Sequence, residues 1–236
     1  MLKYKYLFFD LDHTLWDYDT SASQTLTQLY ERYELSKYGA SGIEDLITNF
    51  FLINDELWDQ YNHGKVSKYY LRTERFKMVF NKIGVNFSLL PNEVIEHFNH
   101  DYLYECPKKG NLISGALDVL EAIQGIYDIH VITNGFDDIQ NTKIKFAGIE
   151  NYITTLITSE KAGAKKPYPE IFEFAMKLTG ANSDYSLVIG DNLGADIIGA
   201  RNYGIDQVYF NPKNLDHNEK VTHEIRSLLE LNQILL

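Results

Sequence analysis

Residues 4–15 read YKYLFFDLDHTL, an apolar run of aromatic and aliphatic side chains that stops at two aspartates spaced two apart. Tyr6, Leu7, Phe8 and Phe9 lack the polar alternation of a half-wet strand. Both faces are therefore expected to be covered, as in the centre of a parallel sheet flanked by helices. Asp10 and Asp12 then stand at the carboxyl end of that strand. In open α/β sheets this edge binds ligands, because strand ends and helix amino termini converge there. Alternation along the extended chain places both carboxylates on one side and turns Leu11 back into the apolar layer. Two anions at that spacing repel unless a cation or a proton is shared between them. A lone aspartate here would be explained by the turn that follows a strand. D-x-D-x-T after a wholly apolar strand is a reason to look for partners further along the chain.

The chain has 236 residues, enough for one large domain or a main domain with an insertion. A formal charge of −11 and a pI near 5.1 argue against a nucleic-acid polymer or an anionic membrane as partner. An anionic substrate would need a local device to hold it. The single cysteine, Cys106, excludes an internal disulfide and suits a reducing compartment. No secretion-signal pattern and no apolar run of membrane-spanning length are visible, so a soluble cytoplasmic protein is expected.

From Asp17 to about Cys106 helical spacing prevails. Helices are expected over residues 19–34, 43–61 and 67–83, with a fourth opening at Pro91. The breaks between them, at 38–42, 62–65 and 84–90, each carry glycine, proline or asparagine. After Pro107 helices alternate with short apolar strands, as in a parallel sheet wrapped by helices. Strands are expected at 129–132, 155–157, 187–189 and 207–210. Helices are expected at 116–124, 137–146, 170–178 and 195–203, and a last one at 223–231. The expected fold is α/β: a doubly wound parallel core from residues 1–16 and 106–236, with an all-helical cap inserted over residues 17–105.

The later strands also end in polar signatures. Ile132 precedes Thr133-Asn134-Gly135, Ile189 precedes Gly190-Asp191-Asn192 with Asp196 shortly after, and Lys165-Lys166-Pro167 stands just before a helix. In a parallel sheet all of these meet at one edge. Four aspartates, a threonine, a lysine and several helix amino termini would then share a crevice, a fair description of a magnesium-assisted phosphate site.

With Asp10, Asp12 and Thr14 in D-x-D-x-T, Thr133 at a strand end, Lys166 before Pro167, and Asp191 and Asp196 in G-D-x4-D, the whole chain resembles the haloacid dehalogenase-like hydrolase superfamily. Residues 54–76, with Leu57-Trp58, Tyr61, Gly64, Leu71 and Arg75-Phe76, further resemble bacterial house-cleaning nucleoside 5′-monophosphatases that carry a helical cap. The resemblance implies a Mg²⁺-dependent phosphomonoester hydrolase. Asp10 would attack phosphorus to form an aspartyl-phosphate. Asp12 would protonate the departing alkoxide and then activate water. Asp10, Asp191 and the backbone carbonyl of Asp12 would hold Mg²⁺. Thr133, with the Asn134 amide, would bind the transferring oxygens while Lys166 offsets transition-state charge, and Asp196 would orient metal waters or Lys166. Nucleoside 5′-monophosphates are the leading substrates. A sugar-phosphate phosphatase or a phosphosugar mutase would share the same core chemistry. The superfamily's 2-haloacid dehalogenases also use an aspartate nucleophile but have no use for an acid/base two residues on, and a non-catalytic binding module would be expected to lack a motif residue.

Other assignments compete at several positions. Lys165 is an alternative to Lys166, although the lysine-proline junction favours Lys166. Thr14 has a turn-stabilising role available, and His13 falls on a variable position of the motif. His97 and His100 share a helix face at ligand-like spacing without further zinc ligands. Trp16, Trp58, Tyr61, Tyr69 and Tyr70 could stack on a base, but most are expected in the core of the cap. Tyr61 and Asn62 are the specificity candidates, because they border a glycine-containing break.

Overall fold

The computed structural model describes every residue except Met1 and Asn92. Six strands, β1 (Tyr6–Phe9), β2 (Asp128–Thr133), β3 (Thr155–Thr158), β4 (Ser186–Gly190), β5 (Asp206–Phe210) and β6 (His223–Ile225), form one sheet in the order β3-β2-β1-β4-β5-β6. Every neighbouring pair is parallel, so all the carboxyl ends lie along one edge. The order changes direction between β1 and β4, the switch point at which open α/β sheets leave a ligand crevice. Asp10 follows one of these strands and Asp191 the other. β1 is central, and Leu7, Phe8 and Phe9 are wholly buried, as expected of an apolar strand covered on both faces.

By its contacts the chain divides into two compact units, one of Met1–Tyr18 with Gly110–Leu236 and one of Asp19–Lys109. The second is all-helical among its described residues: α1 (Tyr18–Arg32, entering from the first unit), α2 (Ile43–Asn62), α3 (Lys68–Lys82) and α4 (Val94–Glu105), with short 3-10 turns. Ser67 caps α3 by accepting from the Tyr70 N–H. The helix expected from Pro91 begins only at Val94; Asn92, within that expectation, lies outside the described residues. Phe50, Phe76, Phe80, Phe98 and Tyr102 form an aromatic core. Arg75 is buried in it, 4.8–5.3 Å from the rings of Tyr102, Phe76 and Phe50 and bonded through Nη1 to Asn54 Oδ1 at 3.0 Å. Tyr61 and Asn62 occupy the last turn of α2, not the break expected to begin at Asn62, because the helix runs one residue beyond its predicted end.

In the first unit the helices are α5 (Ala116–Ile123), α6 (Asp137–Phe146), α7 (Ser159–Ala162), α8 (Pro169–Thr179), α9 (Gly199–Tyr203) and α10 (Leu231–Leu235). Phe8, Ile132, Ile157 and Val188 of the sheet pack with Ile171, Phe172 and Ala175 of α8. Of the helix expected over 195–203 only Gly199–Tyr203 is α-helical; its first residues lie in a π-helical turn, Leu193–Ile198, capped by Asn192 Oδ1 on the Ala195 N–H at 2.8 Å. Widened turns of this kind often accompany functional sites. The expected final helix over 223–231 is corrected. His223–Ile225 extends as an edge strand on β5, which buries Ile225 and leaves Glu224 exposed. A Ser227–Glu230 capping box then starts the chain turning toward α10. Leu228, Leu231 and Leu235 are buried, and Tyr127 donates to the Leu235 carbonyl at 2.6 Å. The last apolar residues thus have the packing site that the sequence does not reveal.

His130, in mid-strand on β2, is buried beside Phe8 at 5.0 Å and Tyr6 at 6.4 Å between ring centroids. Neither ring nitrogen meets a hydrogen-bond partner among the described residues. Burial holds its pKa below the ordinary imidazole value, against a smaller opposing pull from Asp128. The unfolded chain therefore takes a proton near pH 6.5 that the folded chain refuses. Stability present above that pH is lost as pH falls, by at most about 1.4 kcal/mol per pH unit. His130→Phe is expected to flatten this acid limb. Calorimetric melting at pH 7, 6 and 5 checks it, and parallel curves for the two proteins would contradict it.

Candidate active site

The site forms where β1, β2 and β4 end. Lys166 reaches it from the segment before α8, with its backbone clamped by Asn134, whose Oδ1 accepts from the Lys166 N–H at 2.8 Å and whose Nδ2 donates to the Lys166 carbonyl at 2.9 Å. The Lys166 side chain is buried. Its Nζ lies 2.5 Å from Asp10 Oδ1, 2.6 Å from Asp196 Oδ1 and 2.8 Å from the Ile132 carbonyl. Asp191 is held by Thr14: the threonine hydroxyl donates to Asp191 Oδ1 at 2.9 Å and accepts from the Asp191 N–H at 3.1 Å. Asp196 Oδ2 accepts from the Asn192 N–H at 3.0 Å, which folds its carboxylate over Gly190. A Cβ at Gly190 would fall on that carboxylate, so the glycine of G-D-x4-D is required for space.

Asp10, Asp191 and Asp196 each offer a carboxylate oxygen within 4.8 Å of the others. One ammonium among three carboxylates leaves negative charge uncompensated. Burial, reinforced by Asp196 and Asp191, pushes Asp10 up to about 8 despite Lys166. Burial, with Asp196, pushes Asp191 up to about 7. Lys166 goes the other way: burial opposes its charge, but Asp10 and Asp196 outweigh burial and hold its pKa above the ordinary lysine value. Close-set oxygens with excess negative charge suit a hard divalent cation such as Mg²⁺.

Asp12 has a different set of partners. Lys143 Nζ stands 2.5 Å from its Oδ1, and Gln140 Nε2 donates to its Oδ2 at 2.9 Å. Burial alone would raise Asp12, yet Lys143 and these hydrogen bonds hold it below the usual carboxylate range. Gln140 Nε2 also donates to Thr133 Oγ1 at 2.9 Å, and the Gly135 N–H donates to the same oxygen at 3.0 Å. With both lone pairs accepting, the Thr133 hydroxyl has only its hydrogen to give. It is a donor set at a strand end, suited to an anionic oxygen.

Asp10, Asp12, Thr133, Lys166, Asp191 and Asp196 are thus brought to one edge, with Lys166 against Asp10. The Asn134 side chain is engaged by the Lys166 backbone and so places the lysine. Trp16 is wholly buried in the first unit and is not a stacking surface. His97 and His100 are exposed on α4 and belong to no metal-ligand cluster among the described residues. Tyr61 and Asn62 are half-buried in the helical unit, Tyr61 edge-on to Trp58 at 5.5 Å. Sequence reasoning missed Gln140 and Lys143. Their i, i+3 spacing one turn into the helix after Thr133-Asn134-Gly135 was the available signal, since helical side chains lean back over the preceding turn.

No helix among the described residues is long and apolar enough to cross a membrane. Over 97% of its length the chain is 32% identical to the pyrimidine 5′-nucleotidase PynA of Streptococcus pneumoniae, covering 93% of that protein. It is 29% identical to the pyrimidine 5′-nucleotidase YjjG of Escherichia coli, covering 99% of both. The solved structure of the putative HAD-hydrolase YfnB of Bacillus subtilis, bound to magnesium, matches with a TM-score of 0.84 and 26% identity over 99% of each chain. The sequence model of the haloacid dehalogenase-like hydrolases matches residues 7–210, a span that begins within β1, just before Asp10, and runs beyond Asp191 and Asp196 to the end of β5. In sequence, in fold and in the residues gathered at the sheet edge, the chain belongs to the haloacid dehalogenase-like hydrolase family.

Proposed function

We propose that the protein hydrolyses phosphomonoesters with Mg²⁺ through an aspartyl-phosphate on Asp10, and that its substrates are pyrimidine nucleoside 5′-monophosphates. The observation that carries this reading is the separate provision for the two carboxylates after β1: Asp10 meets Lys166, whereas Asp12 meets Lys143 and Gln140. A dehalogenase would need the first arrangement only. The substrate class rests on the likeness to PynA and YjjG.

In the first half-reaction an Asp10 oxygen bonds to phosphorus, the ester P–O bond breaks, and the leaving alkoxide takes a proton from Asp12. An incoming phosphate dianion beside Asp12 raises its proton affinity for that role. In the second, water attacks phosphorus, gives its proton to Asp12, and frees inorganic phosphate and Asp10. The Thr133 hydroxyl and Lys166 stabilise the charge on the transferring oxygens. Asp10, Asp191 and the Asp12 carbonyl would hold Mg²⁺, which when bound offsets the repulsion between nucleophile and substrate.

A phosphate-release screen over nucleoside 5′-monophosphates, sugar phosphates and 2-haloacids, with Mg²⁺ and with excess chelator, tests this reading. Pyrimidine nucleotides are expected to lead, with a loss on the order of 10³-fold in chelator, as the several kcal/mol supplied by a catalytic cation implies. Full activity in chelator, or halide release from a haloacid, would overturn it.

A further inference from the structure

The mechanism above uses Asp12 twice but leaves unexplained what keeps its carboxylate in place between the two uses. Lys143 and Gln140 lie on α6, three residues apart, and approach Asp12 from the same side. Each takes a different oxygen: Lys143 Nζ at 2.5 Å from Oδ1 and Gln140 Nε2 at 2.9 Å from Oδ2. Both side chains are buried. The Lys143 ammonium also faces the Trp16 ring at 4.4 Å and the Tyr18 ring at 5.5 Å from their centroids, a cation seated between aromatic faces and one carboxylate. An ammonium buried this way is costly unless its partner is fixed.

Gly135 provides an independent observation. Its backbone is not in the left-handed region, so conformation alone does not call for glycine. The requirement is spatial: a Cβ there would overlap the Gln140 side-chain amide, close enough that one of the two must move. The turn after Thr133 is therefore shaped around Gln140, and that one amide joins the acid/base Asp12 to the phosphate-facing Thr133 at 2.9 Å each.

We propose that Lys143, together with Gln140, is the positioning group for Asp12. Gripping both oxygens fixes the carboxylate in one orientation, so that it faces first the leaving alkoxide and then the attacking water. This rests on the phosphatase reading given above. Lys143 acts through Asp12 and does not itself touch the reacting atoms.

The test is a double-mutant cycle on the full-length protein in saturating Mg²⁺, with p-nitrophenyl phosphate and uridine 5′-monophosphate as probes. Lys143→Met should lower kcat for both esters about 10- to 100-fold, the worth of a charge-assisted hydrogen bond, with KM moving less than about threefold. Lys143→Arg should recover most of the loss. In an Asp12→Asn background, Lys143→Met should change the residual steady rate of phosphate release, the step that needs Asp12 as base, by less than about twofold, because the group it positions is already gone. Gln140→Met should show the same non-additivity, and it serves in place of Lys143→Met if that variant does not fold. A full additional loss in the Asp12→Asn background, a wild-type kcat in Lys143→Met, or a rise in KM at unchanged kcat would overturn the assignment alone. If Asp12→Asn itself turns over both esters at the wild-type rate, the phosphatase mechanism fails and this inference fails with it.

Discussion

Asp12→Asn is expected to convert the protein into a single-turnover reagent toward p-nitrophenyl phosphate. p-Nitrophenolate is a stable anion and leaves without a proton, so transfer to Asp10 proceeds. The second half-reaction has lost its base and stalls. Rapid mixing should show one equivalent of p-nitrophenol per active site, with steady phosphate release down about 10²- to 10⁴-fold, the usual worth of general acid–base catalysis. A nucleoside 5′-monophosphate, whose alkoxide needs the proton, should give little burst. Asp10→Asn should give neither burst nor turnover, because the nucleophile is gone. The asymmetry between the esters separates chemistry from misfolding, which would suppress both alike. Near wild-type steady rates on both esters would remove Asp12 from the mechanism.

Lys166→Met should show the other large effect, on stability as well as turnover. The ammonium lies within 2.6 Å of both Asp10 and Asp196, so its loss leaves buried carboxylates facing one another. Breaking a buried pair of this kind costs about 3–5 kcal/mol, or roughly 6–20 °C of melting temperature for a chain of this size. The loss should depend on pH with a definite sign. Asp10, near 8, and Asp191, near 7, lie above their unfolded values. The stability they contribute is therefore full below about pH 4 and is lost as pH rises through 7 to 8. At acid pH the carboxylates carry protons and miss the lysine less. Melting in chelator should find the variant's deficit larger at pH 8.5 than at pH 5.5, and Mg²⁺ should recover part of it. An equal deficit at both values would mean that Lys166 contributes only packing.

Most of the site residues read from sequence stand where an apolar run ends or beside a glycine or proline. Asp10, Thr133, Asp191 and Lys166 are legible because the strands before them, or the proline after Lys166, fix which edge they occupy. Gln140 and Lys143 are not, because inside a helix a glutamine and a lysine have the spacing of an ordinary wet face. Only the three-dimensional approach of α6 to the β1 edge buries them. Arg75 was hidden for the same reason, as a charged helix residue whose burial depends on the rings of other helices. β6 escaped notice because three residues in a polar tail carry too little periodicity; its pairing partner decides its conformation. The break expected to begin at Asn62 came from reading asparagine as punctuation where the helix was long enough to absorb it.

The sheet order also governs when the surroundings of Asp10 can be assembled. β1 pairs with β2, about 120 residues later, and with β4, about 180 residues later, and the helical unit is made in between. A nascent chain elongating at roughly 5–20 residues per second therefore carries the Tyr6–Phe9 segment for about 10–40 s before its second neighbour exists. During that interval the helices of 19–109 have their local contacts available, while the central strand has at most one of its two neighbours. Closing such long loops early is entropically unfavourable, so the central strand is placed late. Asp10 can meet its lysine only once residue 166, 156 positions later, has been made, and the Leu7-Phe8-Phe9 triplet before it stays without its full sheet until β4 follows.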